Sequence, residues 1–150
     1  MAIDDLTIHE RRTVQMEYVV PLIRDLQAIL GEDVVNRALE ERIRRDVEKA
    51  QDEPARDIDL RAMAAGTEVY AAGDALGYEI LEASEDRFEM NVTRCGYKEM
   101  MERLGAQDIG HLLICNLDFA VALRAGTELT RTQTCMQGGS HCDFRYRKLS

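Results

Sequence analysis

The sequence predicts an α+β fold in which N-terminal helices precede two β-hairpins, the hairpins forming an antiparallel sheet of about four strands packed against helices. Two observations carry that prediction. Apolar residues recur at helical steps to about residue 76, and from Gly77 the period drops to two. Turn-forming residues then split two pairs of short segments: Ser84-Glu85-Asp86 in the first and Gln137-Gly138-Gly139-Ser140 in the second. A length of 150 residues with 45% hydrophobic content fits one domain with a buried core. Residues 1–76 would form its helical layer and 77–150 its motif-bearing α+β part.

Val14, Tyr18, Leu22 and Leu26 recur at four-residue steps, with Val19, Ile23 and Leu30 beside them, and mark the first helix. Pro21 inside it predicts a kink or the start of a second helix, and Gly31 ends the segment. Val35, Leu39, Ile43 and Val47 mark the next helix. Its outer face offers Glu40/Arg44 and Glu41/Arg45 pairs, each worth about 0.3 kcal/mol on a solvated surface. Gln51-Asp52-Glu53-Pro54 is a polar break, after which Asp57 is the expected cap of an Ala-rich helix running to about Ala75.

Tyr78–Ala83 and Phe88–Thr93 read as the two strands of the first hairpin, Phe88, Met90 and Val92 forming the apolar side of the second. Tyr97–Leu104 reads as a short helix with Met100 and Met101 inward and Gly105 as its C-cap. Asp108 then opens a helix, apolar nearly all round and hence buried, that Gly126 closes. The second hairpin is expected to pair Thr127–Met136 with His141–Lys148.

The formal net charge of −9 argues against nucleic-acid or anionic-membrane partners, which want a basic surface. No apolar run approaches the roughly 20 residues a bilayer requires. The N-terminal Met1-Ala2-Ile3-Asp4-Asp5 has neither a basic nor an apolar leader region. The expected location is the cytoplasm, where the four cysteines would stay as thiols. No C-x2-C pair is present, so spacing gives a zinc finger no support and no cofactor is expected; a thiolate-rich zinc site is the alternative if Cys95, Cys115, Asp118 and Cys142 converge in one pocket.

On the buried helix, His111, Cys115 and Asp118 would fall on one line. A base, a thiol and a carboxylate in a buried position each carry a cost unless partnered or used. An imidazolium beside a thiol favours the thiolate, and a buried carboxylate can move a proton near neutral pH. The alternative is a satisfied polar cluster, with Asp118 bonded to an arginine and His111 to a carbonyl. In the last hairpin, a four-residue turn would set Cys135 opposite Cys142, either as packed core thiols or with one reactive thiol facing a pocket. Asp143 and Arg145 share the other strand face and are placed to pair. Cys95, at the end of the second strand, would join Cys115, Asp118 and Cys142 if that strand end faces the buried helix.

Asn91-Val92-Thr93-Arg94-Cys95-Gly96-Tyr97, the Cys115-x2-Asp118 element, Leu129-Thr130-Arg131-Thr132 and Gly138-Gly139-Ser140-His141-Cys142-Asp143-Phe144 occur in that order. Over roughly residues 85–147 this pattern resembles the L-2-amino-thiazoline-4-carboxylic acid hydrolase family. The resemblance implies an α+β fold related in outline to 4-vinyl-reductase-type ligand-binding domains. It also implies opening of a thiazoline ring by water to give an N-carbamoyl-cysteine, and motif residues at Cys95, Cys115, Asp118, Cys142 and Asp143.

Two functions from different classes follow. In the first, a hydrolase acts on the C–N bonds of a small cyclic amidine. Cys115 attacks the ring carbon or positions a water there, Asp118 moves the proton, and His111 assists. Cys95, Cys142 and Asp143 line the pocket, and Arg94 or Arg131 holds the substrate carboxylate in a guanidinium fork. In the second, the same fold is a non-catalytic small-ligand-binding or sensor module. A homodimer built through the helical half is neither required nor excluded.

Overall fold

In a computed structural model describing residues 2–149, Thr7 opens the first long helix. Its hydroxyl accepts from the Glu10 N–H at 3.1 Å, and the Glu10 carboxylate accepts from the Thr7 N–H at 2.7 Å. Helix α1 (Ile8–Leu30) continues through Pro21, which therefore does not begin a second helix. Of the residues that signal α1, Ile23 is buried and Val19 packs against the core, but the four-residue stripe itself is not the buried one. Met16, Val20, Ile23 and Gln27 face the core, whereas Val14, Tyr18, Leu22 and Leu26 face outward. Both sides of the helix are apolar, so periodicity identifies the helix without choosing its inner face.

Gly31, at φ +92°, turns the chain into α2 (Glu32–Gln51). Val35 is buried there, with Leu39 and Ile43 packed against the same cluster. On its surface Arg44 bonds both Glu41 and Glu48, in place of the expected Glu40/Arg44 and Glu41/Arg45 pairs. Helix α3 (Leu60–Ala71) is capped by Asp59, whose carboxylate accepts from the Arg61 N–H at 2.9 Å. The expected cap, Asp57, pairs instead with Lys148 at 2.7 Å. The helix stops four residues early because Gly73 and Asp74 adopt left-handed backbone, at φ +73° and +60°.

Strands β1 (Leu76–Ala83), β2 (Arg87–Cys95), β3 (Thr127–Thr130) and β4 (Cys142–Lys148) form one antiparallel sheet in the order β1-β2-β4-β3. The α+β class is thus correct, and β2 joins the two hairpins through β4. Phe88, Met90 and Val92 lie opposite Tyr146, Phe144 and Cys142. These pairs share one face and pack with Leu60 and Ala64 of α3. The other face carries Asn91 and Arg145, joined at 2.9 Å. Arg145 also donates to the Met90 carbonyl at 2.9 Å and does not pair with Asp143. A second core holds Met16, Val20, Val35, Met100, Met101, Ile109 and Leu112, between α1, α2 and the helices α4 (Gly96–Arg103) and α5 (Gln107–Leu113).

The long buried helix expected from Asp108 is interrupted. Helix α5 ends at Leu113, Ile114 leaves helical geometry at φ −128° and ψ −68°, and Cys115–Leu117 form a single 3-10 turn before α6 (Asp118–Arg124). The Cys115 carbonyl accepts from the Asp118 N–H and from Arg131 Nη2 at 2.9 Å, which satisfies the tight turn. Ile114 and Asn116 are also weak helix formers.

The last hairpin is corrected as well. Strand β3 ends at Thr130, and residues 131–141 fold as a loop rather than as strand and tight turn. Asp143 holds that loop, accepting from Thr132 N–H and Gln133 N–H, both at 2.9 Å, and from the Thr132 hydroxyl at 2.5 Å. Cys135 is not strand-paired with Cys142, yet its N–H points at the Cys142 sulfur at 3.2 Å. The loop rests on α5 at Gly110, where a Cβ would lie 2.3 Å from Met136 Sδ.

Gly126 links α6 to β3 with φ +82°, and a Cβ there would sit 2.2 Å from the Arg56 carbonyl oxygen. Gly126→Ala is expected to destabilise the fold by about 2 kcal/mol or more, from backbone strain and the collision together. Urea unfolding of the two proteins checks this through a lower midpoint.

Candidate functional site

Between the inner face of the sheet and helices α1, α3 and α6 lies a cavity of about 250 Å³. Phe88, Met90, Val92, Phe144 and Tyr146 form its floor, and Met63, Thr67 and Tyr70 of α3 form one wall. Ile114, Cys115, Leu117, Asp118, Val121 and Ala122 form the opposite wall. The break at Ile114 positions this wall: the turn over Cys115–Leu117 places Cys115 and Asp118 both against the cavity, where their spacing in one continuous helix would have been fixed at three residues' rotation.

The lining is mainly apolar, and its charge is concentrated at one point. Asp118 Oδ2 accepts from Arg131 Nη1 at 2.8 Å. The Arg131 side chain is only 3% exposed and lies between two rings, its guanidinium carbon 5.2 Å from the Phe119 centroid and 5.0 Å from that of Phe144. With Nη2 committed to the Cys115 carbonyl, Arg131 is fixed by four neighbours. Asp118 is enclosed by the fold but lines space wide enough for water, which leaves 39% of its side chain accessible. Enclosure raises its carboxyl above the usual range, and the Arg131 charge opposes that rise.

Cys95, Cys115 and Cys142 are held as thiols. Burial pushes Cys115 well up, and the neighbouring Asp118 carboxylate pushes it further. Burial likewise raises Cys95 and Cys142. Cys95 also caps α4, its sulfur accepting from the Lys98 N–H at 3.4 Å. Cys95, Cys115 and Cys142 all line the cavity. Among the described residues, no three His, Cys, Asp or Glu side chains are grouped to hold a metal ion.

Three other residues singled out in the sequence lie away from this cavity. His111 sits on α5, its buried Nδ1 without a partner among the described residues, and does not line the cavity; the helix break at Ile114 separates it from Cys115 and Asp118. Arg94 is at the surface, paired with Asp74 at 2.9 Å and with Glu99 at 3.7 Å. Asp143 is spent on the loop backbone; burial alone would raise its carboxyl, but the bonds from Thr132 and Gln133 bring it below the usual range.

Arg12 and Tyr146 are among the polar residues lining the cavity that the sequence did not single out. Arg12 of α1 lines it and has Gln15 as its hydrogen-bond partner, at 2.9 Å. Ile8, Arg12 and Met16 recur at four-residue steps on the inner side of α1, so a cation on a packed face was the available signal. Tyr146 continues the alternation of Cys142 and Phe144 on β4 and so shares their face. Burial and the nearby Asp118 charge raise its phenol, which is therefore a neutral hydroxyl.

A family model described as L-2-amino-thiazoline-4-carboxylic acid hydrolase matches residues 11–146. No curated protein matches the chain. Among solved structures, the chain is similar to the phenol-responsive sensory domain of the transcription activator PoxR with phenol, at 13% identity and a TM-score of 0.42, covering 85% of this chain and 71% of that one. It is also similar to an Fe(II) unliganded H-NOX protein from K. algicida, at 11% identity and a TM-score of 0.43, covering 90% of this chain and 74% of that one.

Proposed function

The chain belongs to the L-2-amino-thiazoline-4-carboxylic acid hydrolase family, and from that premise we propose that its cavity binds a small cyclic amidine bearing a carboxylate and opens the ring with water. The carrying observation is one carboxylate, Asp118, facing an apolar cavity beside two guanidiniums, of which Arg131 is fully committed and Arg12 is not. The charge of the site is then one positive in excess. That suits a ligand with one carboxylate for Arg12 and an N–H-rich amidine for Asp118. The volume of about 250 Å³ suits a single small ring.

The chemistry follows from these groups. Asp118 takes a proton from a water whose oxygen bonds the ring carbon between nitrogen and sulfur. The carbon–sulfur bond breaks as the new carbonyl forms: the sulfur leaves with the proton that Asp118 held, and the second proton of the water passes to the ring nitrogen. An N-carbamoyl product retains both nitrogens, so the bond opened is C–S, although the group attacked is the amidine. Cys115, held as a thiol, borders the reacting carbon and positions the water rather than attacking. The Tyr146 hydroxyl offers a neutral donor from the floor.

The apolar lining also suits a module that binds such a ring without turning it over. Calorimetric titration separates ligand binding from product formation. For the wild-type chain, binding of L-2-amino-thiazoline-4-carboxylate is expected, and Arg12→Gln is expected to weaken it about tenfold or more through the lost charge-assisted bond. Equal affinity of the two proteins would take Arg12 out of the site. Binding with no product under any condition would favour the module.

A further inference from the structure

The outer face of α1 is an extended apolar surface that the fold leaves uncovered. Val14, Tyr18, Leu22, Leu26, Ile29 and Leu30 are all exposed, Tyr18 by 77%. A tyrosine left that open, in line with three aliphatic side chains, is unusual for a helix that packs only on its inner side.

The sequence along this face has a two-fold pattern. Counting from Tyr18, Val14 and Leu22 stand four residues either side, and Arg11 and Asp25 stand seven either side. At 100° per residue these five positions fall within an arc of about 80°. Two such helices laid antiparallel about Tyr18 would therefore meet with Tyr18 on Tyr18, Val14 on Leu22, and Arg11 on Asp25 at both ends. A two-fold interface requires this: whatever residue i meets, its partner meets in return.

The charges fit only that arrangement. A parallel pair would set Arg11 against Arg11 and Asp25 against Asp25. Asp25 is exposed and makes no ion pair among the described residues. The Arg11 guanidinium is steadied by the Leu6 and Asp4 carbonyls, at 3.1 and 3.2 Å, and lies 3.8 Å from the exposed Asp4 carboxylate, a long surface contact that leaves it partly exposed and able to meet a second carboxylate. Ile3 precedes α1 and Val34 follows it, both exposed, so the same two-fold brings one copy's Ile3 to the end where the other carries Val34.

We propose that the outer face of α1 is a self-association surface, on which a second copy of this chain packs antiparallel about Tyr18. The area of one helix face lies toward the lower end of what specific interfaces bury, so the dimer is expected at micromolar concentration rather than below. Because α1 contributes Ile8 and Arg12 to the cavity from its inner side, the dimer would brace the helix that carries Arg12.

Sedimentation equilibrium of the full chain over a range of micromolar concentrations tests this, with circular dichroism to confirm that each variant is folded. Wild type is expected to dimerise and Tyr18→Glu to sediment as a monomer. Asp25→Arg, which sets like charges together at both ends, is expected to weaken the dimer about tenfold. Arg11→Asp is expected to do the same, and an equal mixture of the two variants to recover dimer, because each end of the mixed pair is again Arg on Asp. A wild-type monomer at every concentration overturns the proposal. So does a dimer that survives Tyr18→Glu, and so does one lost with Tyr18→Glu but blind to the charge exchange.

Discussion

Asp118→Asn is expected to lower kcat/KM for thiazoline opening by about 10²- to 10⁴-fold, the usual contribution of a positioned acid–base group. The substitution preserves shape and removes the proton acceptor. KM is expected to change much less than kcat, because an amide still accepts one hydrogen bond from the amidine. The wild-type pH profile carries a second expectation. Enclosure raises the Asp118 carboxyl above its ordinary value, so the acid limb of kcat/KM should lie above the range of an exposed aspartate. Asp118→Asn should have no such limb. A profile that is flat to the ordinary aspartate range would remove Asp118 from the proton-transfer role.

The second large effect is on stability. Arg131→Met is expected to destabilise the protein by about 3 kcal/mol at neutral pH, toward the lower end for breaking an enclosed ion pair because Asp118 still faces cavity water. Methionine fills the space between Phe119 and Phe144 but offers no donor to Asp118 or to the Cys115 carbonyl. Arg131 holds the Asp118 carboxyl down, so its removal raises that group further. A carboxyl whose folded pKa exceeds its unfolded value favours the fold when protonated, and that gain is lost as pH rises through the folded pKa. The deficit of Arg131→Met relative to wild type should therefore shrink as pH falls. Denaturant unfolding at several pH values measures both the size and the direction. In the same variant, the acid limb of any remaining activity should move to higher pH.

The fold was legible wherever a single period ran long enough to identify an element. The Val35-Leu39-Ile43-Val47 stripe and the alternation of Phe88, Met90 and Val92 both lie on the elements they indicate. What a period could not supply was a direction. On α1 two apolar stripes compete, and only the tertiary packing of Met16, Val20 and Ile23 decides between them. Nor could it supply interruptions made by distant side chains. The helix from Asp108 breaks where Arg131, thirteen residues beyond Asp118, bonds the Cys115 carbonyl. The last hairpin opens into a loop because Asp143 captures backbone N–H groups from Thr132 and Gln133.

The site divides the same way. Cys115 and Asp118 meet the cavity together, although as neighbours across a turn and not as one helical line. His111 was placed with them only by the assumption of a continuous helix. Arg131, expected to hold the substrate carboxylate, bonds Asp118 and the Cys115 carbonyl, and the proposed function therefore gives that task to Arg12. Arg12 lies more than a hundred residues from Asp118, too far for any local pattern to join them. One charged residue on an otherwise packed helical face was its only trace.

The central claim is that water, activated by Asp118, opens the ring while the Cys115 thiol takes no covalent part. The most direct measurement is incubation of L-2-amino-thiazoline-4-carboxylate with the wild-type chain, Cys115→Ala and Asp118→Asn, with mass-spectrometric detection of N-carbamoyl-cysteine. The account predicts product from wild type, product from Cys115→Ala within about tenfold of it, and essentially none from Asp118→Asn. Absence of product from the wild-type chain would contradict it, as would a Cys115→Ala variant as inactive as Asp118→Asn.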